Sequence, residues 1–247
     1  MEIYKSRSDK PLIEWQSYEP SLRNITHLTL KLIRKTRGRA LDVGCGTGRI
    51  SFALAKKGFE VTGIDIEERV IEIAKIMAGN SSQSPRFEIM DFCNPKSLQP
   101  EFYDLVVCSE VLEHIEDYHP LIENIHATLK PGGRVIITVP YDPRKWSELD
   151  EYGGHVRRYT ISQVSKDLSQ FRNIKILVTG FPFYRILTYS YLAKIRVFKQ
   201  QHSNETLWEN RSTRWIAQFL YPFMRLDNIF AFTRLGDALI VVADKAS

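Results

Sequence analysis

A chain of 247 residues, 43% hydrophobic and 26% charged, has the size and composition of one globular domain with a substantial core. Three cysteines, Cys45, Cys93 and Cys108, form an odd set with no CxxC spacing and no histidines at metal-ligand distance, which argues against a disulfide framework or structural zinc and for a reducing, cytoplasmic setting. No apolar run approaches the roughly 20 residues that cross a bilayer, the N-terminus lacks a signal-type apolar stretch, and a net charge of +5 permits an acidic partner without requiring one.

In chain order, "SLRNITHLTLKLI" predicts an N-terminal helix. "RALDVG" and "FEVTGID" read as buried strands flanking the helix "GRISFALAKKG", a βαβ unit whose helix stops at Gly58. A helix "EERVIEIAKIMAG" follows, then strands "RFEIM" and "YDLVVCS", a helix over "HPLIENIHATLKPGG", and a strand "RVIITVP". "NIKILVTG" and "DALIVVA" supply two late strands. Alternation of this kind predicts an α/β fold with a parallel sheet covered on both faces. No internal repeat or low-complexity segment interrupts it.

The first strand-to-helix turn, "VGCGTGR", carries Gly44, Gly46 and Gly48 at alternate positions. One glycine serves a turn that needs positive φ; three favour a loop whose backbone approaches a ligand beyond the carboxyl ends of the strands. The dinucleotide fingerprint is G-x-G-x-x-G, but here the spacing is G-x-G-x-G, with Asp42 two residues ahead. A carboxylate there is unfavourable to pyrophosphate and favourable to an ammonium or sulfonium. Asp65 closes the next strand, where an acidic side chain accepts ribose hydroxyls. The predicted ligand is a cationic nucleoside.

Together, "LDVGCGTGR", Asp65, the pair Asp91 and Phe92, and "YDLVVCSEVLEHIED" resemble, in order, the motifs of class I S-adenosylmethionine-dependent methyltransferases, in the branch whose fourth segment runs E-x-L-E-H. The match runs from about Gly38 to Pro140. The resemblance implies a Rossmann-like, doubly wound sheet of seven strands, mostly parallel, with an antiparallel last strand. It also implies that Gly44, Cys45, Gly46 and Gly48 line the methionine portion of S-adenosylmethionine, with Asp42 near its amino group. Asp65 and Ile66 then belong to the ribose side, Asp91 and Phe92 hold the adenine, and Ser109 and Glu110 border the methionine and sulfonium. Arg23, with Trp15 and Tyr18 ahead of it, lies where related enzymes often lid the cofactor. Cys45 fills space in the loop, since no base accompanies it.

Methyl transfer from this donor is an in-line displacement that needs alignment, desolvation and, for a hydroxyl nucleophile, a base; no metal is expected. The candidate bases are His114 and His155. A short helix after the fourth strand would set Glu110 and His114 one turn apart on a shared face, with Val111 and Ile115 inward. An equal reading has His114 orienting the loop by hydrogen bonding. His155 lies in "EYGGHVRRYT", where Arg157, Arg158 and Tyr159 suggest an anion or sugar contact, or else Thr160 caps the next helix.

The chain departs from the compact family pattern over residues 181–235, which hold 13 of its 28 aromatics and eight Lys or Arg against three acids. The expected organisation is a helical lid over 1–37, a cofactor-binding core over 38–180 and 236–247, and this helical insertion between the last two strands. The insertion reads as a substrate cap or subunit contact, or as a surface that docks on an anionic bilayer to reach a lipid-linked acceptor. RNA tracking is a third reading, with no RNA-binding module to support it. A DNA amino-methylating motif and a catalytic cysteine–proline pair are both missing, so the expected activity is O- or N-methylation of a small-molecule, sugar or lipid-linked acceptor. The alternatives are an RNA methyltransferase and a noncatalytic S-adenosylmethionine-binding protein; an NAD oxidoreductase is opposed by the loop spacing and Asp42.

Overall fold

The structure is a computed structural model that describes residues 20–81, 83–95, 98–186, 218–219 and 221–247. Trp15, Tyr18 and all of 187–217 lie outside the described residues.

Helix α1 (Pro20–Leu32) precedes β1 (Gly38–Val43), α2 (Arg49–Lys56), β2 (Phe59–Asp65), α3 (Glu68–Ala78) and β3 (Arg86–Ile89). The chain then runs through β4 (Tyr103–Ser109), a 3-10 turn (Leu112–His114), α4 (His119–Thr128) and β5 (Leu129–Pro140). A second 3-10 turn (Pro143–Lys145), α5 (Glu148–Gly153), α6 (Ile161–Asp167), β6 (Arg172–Thr179), a 3-10 segment (Arg225–Thr233) and β7 (Ala238–Asp244) complete it. The seven strands lie in the order β3-β2-β1-β4-β5-β7-β6. Strand β7 runs antiparallel to both its neighbours and the other pairs are parallel. Mostly parallel with an antiparallel last strand, the sheet is the one the sequence predicts.

The physical reason is visible strand by strand. "LVVCS", "VIITV" and "LIVVA" are continuous apolar runs because β4, β5 and β7 are buried on both faces. Alternate residues feed two cores. Leu41, Val106, Val135 and Ile137 face α4 and α6, packing with Leu121, Ile125 and Val164. Ala40, Leu105, Val107 and Ile136 face the other way, with Leu28 of α1 and Ile50 and Leu54 of α2. Through Leu28, α1 is part of that second core.

Two local expectations are corrected. The helix expected over "HPLIENIHATLKPGG" ends at Thr128, and β5 begins at Leu129, with an irregular register opposite Tyr103 and Leu105. Pro131 removes a donor and disfavours helical Lys130, so the chain extends there. Helix α5 was not foreseen; Ser147 and Asp150 cap it reciprocally and Gly154 ends it in the left-handed conformation.

Strands β1 to β3 progress in one direction from β1, whereas β4 and β5 lie on its other side. That reversal opens a crevice at the carboxyl ends of β1 and β4, where ligands bind in doubly wound sheets. The Gly44–Gly48 loop and the Ser109–Glu110 corner both leave strands at this crevice.

Candidate active site

The glycine loop is shaped by the chain's own packing. Gly44, Gly46 and Gly48 all adopt positive φ, at 67°, 54° and 90°. A Cβ on Gly44 would overlap the Val111 side chain, and one on Gly48 would sit 2.6 Å from the Phe87 ring. The turn reading and the ligand-loop reading therefore describe the same residues, and intramolecular contact is enough to demand glycine at two of the three. Cys45 is buried, its amide donates to the Ile64 carbonyl at 2.9 Å, and burial pushes its thiol far up. It fills space.

Two carboxylates stand beneath and beside the loop. Asp42 is almost fully buried and accepts a 2.6 Å hydrogen bond from Ser51 Oγ. Burial pushes its pKa up to about 6 despite that bond and nearby Arg49. Asp65 receives the Gly46 amide on one oxygen at 2.9 Å and the Glu67 amide on the other at 3.0 Å. Burial raises its pKa as well, against the pull of those amides. Ile66, next in sequence, is 56% exposed. Asp91 is exposed and caps its own turn, with Cys93 N donating to Oδ1 at 2.9 Å. Phe92 is buried in the main core, and its carbonyl accepts from Asn124 Nδ2 at 2.8 Å. Arg23 stacks 4.1 Å over the Tyr221 ring, at the end of α1 that Asn24 ties to Thr179 by a 3.3 Å hydrogen bond.

After β4 the chain turns sharply. Glu110 takes a left-handed φ of 57°, costly for a residue with a side chain. It is held by its amide, which donates to the Thr138 carbonyl at 3.0 Å, and by Thr138 Oγ1, which donates to Glu110 Oε1 at 2.8 Å. With that proton committed, Ser109 Oγ donates to Thr138 Oγ1 at 2.8 Å. The expected helix carrying Glu110 and His114 on one face is not formed. Glu110 lies outside it and the helical turn is only Leu112–His114, with Leu112 and Glu113 buried. The left-handed Glu110 breaks the helical path before it can start.

His114 and His155 nonetheless meet. Their rings pack edge to face with centroids 5.0 Å apart. His114 Nδ1 donates to the Gly154 carbonyl at 3.1 Å, and His155 Nδ1 donates to Asp150 Oδ1 at 3.0 Å. Each ring has its Nδ1–H committed in this way, so in the neutral form Nε2 is the nitrogen that keeps its lone pair. Burial, reinforced by His155, lowers the His114 pKa to about 4, so the ring is neutral at physiological pH. Burial opposes the Asp150 charge, but hydrogen bonds from His155 and Arg158 outweigh it and hold the carboxyl well below its usual range. Next to the pair lies Glu113, fully buried, with no hydrogen-bond partner for either carboxylate oxygen among the described residues. Burial, then Glu110 and Asp150, push its pKa well up.

Most of the anion-contact reading of "GHVRRYT" dissolves. Arg157 donates to the Glu116 carbonyl at 2.7 Å, Arg158 to Asp150 at 2.7 Å, and Tyr159 is buried. Thr160 is the N-cap of α6, accepting from Gln163 N at 3.1 Å. The sequence reading missed Glu113, Asp150 and Thr138. Glu113 stood inside the quoted E-x-L-E-H; Asp150, five residues before His155, and Thr138, inside β5, carried no signal.

Residues 15–171 match the family described as a methyltransferase domain. The chain belongs to that family. The ubiquinone biosynthesis O-methyltransferase of Leptothrix cholodnii is 35% identical to this methyltransferase-domain chain over 133 residues, covering 51% of this chain and 56% of that protein. The chain spans about half the length of the curated relatives it matches. Among solved structures, phosphoethanolamine N-methyltransferase 2 of Haemonchus contortus, in complex with phosphomonomethylethanolamine and S-adenosylhomocysteine, aligns with a TM-score of 0.67. That alignment covers 100% of this chain and 59% of the other, at 18% identity. The [4+2]-cyclase SpnF aligns with a TM-score of 0.64 at 19% identity, covering 91% of this chain and 82% of its own. Both are likenesses of fold.

Proposed function

We propose that this methyltransferase-domain chain binds S-adenosylmethionine over the Gly44–Gly48 loop and moves its methyl group to an O or N atom of a small-molecule acceptor. One observation carries the reading: buried Asp42, next to the end of β1, and partly buried Asp65, at the end of β2, stand together at the crevice, both with raised pKa values. Burying such charges is unfavourable unless a ligand compensates. An ammonium group beside Asp42 recovers that cost, and the Asp65 carboxylate at the strand end suits the hydroxyls of a ribose. Asp91 offers its second oxygen to an exocyclic amine, and exposed Ile66 offers an apolar face to the base. Ser109 and the strained Glu110 bound the methionine side, and Arg23 stands at the rim.

When bound, S-adenosylmethionine supplies a methyl carbon already activated by its sulfonium. The chain's residues align the acceptor, exclude water and manage the acceptor's proton. His114 and His155 belong to this acceptor half because their Nε2 lone pairs are kept free while Nδ1 is tied back.

A sequence relative named for ubiquinone biosynthesis supports an O-methylated small molecule as the acceptor class. A fold shared with a protein named as a cyclase makes direct measurement of methyl transfer the proper test. Calorimetry should show S-adenosylhomocysteine binding and no NAD binding; the reverse result sinks the reading. His114→Ala and His155→Ala should each lower kcat/KM by about two orders of magnitude, in the range typical of a lost proton-handling group, while S-adenosylhomocysteine affinity stays within about threefold. Normal turnover in both variants dismisses their role.

A membrane contact is favoured by one feature of the insertion. Phe219, Phe223, Leu226, Ile229, Phe230 and Leu235 are all exposed, Phe219 by 71%, with Arg225 and Arg234 among them. Apolar side chains interleaved with basic ones suit an anionic bilayer surface bearing a lipid-linked acceptor. No helix among the described residues is long and apolar enough to cross a membrane. Co-sedimentation with anionic but not neutral vesicles, lost on Phe219→Ser with Ile229→Ser, is the expected outcome; equal recovery with both vesicle types counts against it.

A further inference from the structure

The Glu113 carboxylate is fully buried, and among the described residues neither oxygen has a hydrogen-bond partner, a costly arrangement in a folded protein. Among the described residues the ionisable side chain within ion-pair range is His155, whose Nε2 lies 4.0 Å from Oε1, too far for a hydrogen bond. One ligand-capable atom from each of Glu113, His114 and His155 lies within 4.8 Å of the other two, although His155 is about 40 residues away from the others in sequence.

We propose that Glu113, His114 and His155 bind one divalent transition-metal ion, Zn2+ by the class of their donors. Two imidazole nitrogens and one carboxylate oxygen are borderline-soft donors that suit Zn2+ and disfavour Mg2+ or Ca2+. Three protein ligands leave a fourth position open, which is the pattern of a catalytic rather than a structural zinc. The surroundings of the histidines agree independently. Each metal-binding imidazole normally donates its other N–H to a carboxylate or a backbone carbonyl, which fixes the ring. His155 Nδ1 donates to Asp150 and His114 Nδ1 donates to the Gly154 carbonyl. Asp150 is itself held by Arg158 at 2.7 Å and by the Ser147 amide at 2.8 Å. On a tetrahedron with bonds of about 2.0–2.1 Å the donor atoms stand roughly 3.3 Å apart. Closing from separations of up to 4.8 Å takes side-chain movements of up to about 1.5 Å.

The ion's use, though not its binding, rests on the methyl-transfer reading. An acceptor hydroxyl at the open position releases its proton to solvent water. Its oxygen lone pair then forms the bond to the methyl carbon while the carbon–sulfur pair departs with sulfur as a neutral thioether. A cation at that position makes the hydroxyl more acidic.

The test needs neither methyl donor nor acceptor. The full chain, stripped with a chelator, is titrated with Zn2+ in the presence of a competing chelator, and Co2+ is followed by its visible absorption. One equivalent should bind, with tetrahedral-type Co2+ bands. Glu113→Gln and His155→Ala should each weaken binding by at least about tenfold, and Asp150→Asn by about 10- to 100-fold. S-adenosylhomocysteine affinity within about threefold of wild type keeps each variant interpretable as folded. Zn2+ affinity unchanged by Glu113→Gln and His155→Ala places the ion elsewhere and overturns the proposal, as does the absence of a bound equivalent in the wild type. Should the chain bind Zn2+ at these residues yet fail to bind S-adenosylhomocysteine, the methyl-transfer reading falls and the metal site stands.

Discussion

The two halves of the crevice are built from different materials. On the β1–β2 side, three positive-φ glycines and backbone amides are gathered on Asp65, and Asp42 lies underneath. On the β4–β5 side the groups are side chains drawn from distant segments: Glu113 and His114 after β4, Thr138 within β5, Asp150 and His155 around α5. They touch where Val111 packs against Gly44. A backbone-built half leaves its imprint in local spacing, because each glycine is required within a few residues. A side-chain-built half is assembled by the fold, so its members carry no fixed spacing.

Cutting the backbone-built half at its anchor should give the largest effect. Asp65→Ala removes the acceptor of the Gly46 and Glu67 amides as well as the proposed partner of the ribose. Hydrogen bonds to a charged group contribute about 1.5–3 kcal/mol each, so S-adenosylhomocysteine affinity should fall by two orders of magnitude or more in calorimetry. A loss below tenfold would mean that Asp65 only shapes the loop. The same substitution should leave Zn2+ binding at Glu113, His114 and His155 within about threefold, which separates the halves.

Asp42→Asn should show a smaller effect on binding and an opposite one on stability. The carboxyl has a pKa near 3.8 when unfolded and about 6 when folded, so the folded chain holds the proton more tightly. Its stabilising contribution is complete below pH 4 and is lost as pH rises through 6. Above that, the buried charge costs up to about 3 kcal/mol, the equivalent of about two pKa units. The variant should therefore be more stable than wild type at pH 7.5, with the difference shrinking towards zero at pH 4, as read from urea midpoints. S-adenosylhomocysteine should bind about 10- to 100-fold more weakly, because an uncharged amide no longer compensates an ammonium. A stability difference that is flat from pH 4 to 8 contradicts the burial argument.

The fold was legible because its signals are local and redundant. Apolar strands, glycine stops and the alternation of strand with helix predict the same doubly covered sheet, and the family resemblance supplies the antiparallel β7. In the site, Asp42, the glycines and Asp65 fall at the crevice where the strand ends predict them, although the packing of Val111 and Phe87 explains two of the glycines without any ligand. Residues after β4 were harder. A helix was expected from the i to i+4 spacing of Glu110 and His114, but the left-handed Glu110, stabilised by Thr138 from another strand, is a tertiary effect that no window of sequence contains. Glu113 was visible in its motif yet without meaning until its burial and empty hydrogen-bonding capacity appeared. Trp15 and Tyr18 lie outside the described residues.

The smallest expected effect marks the border of the side-chain-built half. Thr160 follows the segment that carries His155, and its hydroxyl accepts the Gln163 amide at the start of α6. Its function there is to satisfy a helix-terminal donor, which costs about 1 kcal/mol of stability when an N-cap threonine becomes alanine. Asp150 is held by Arg158 and Ser147 and not by Thr160, so the His155 ring should keep its orientation in Thr160→Ala. Urea denaturation should show the loss of about 1 kcal/mol, with S-adenosylhomocysteine affinity, Zn2+ affinity and kcat/KM all within about twofold of wild type. A large fall in Zn2+ affinity without loss of fold would extend that half into α6 and make the start of the helix part of what positions His155.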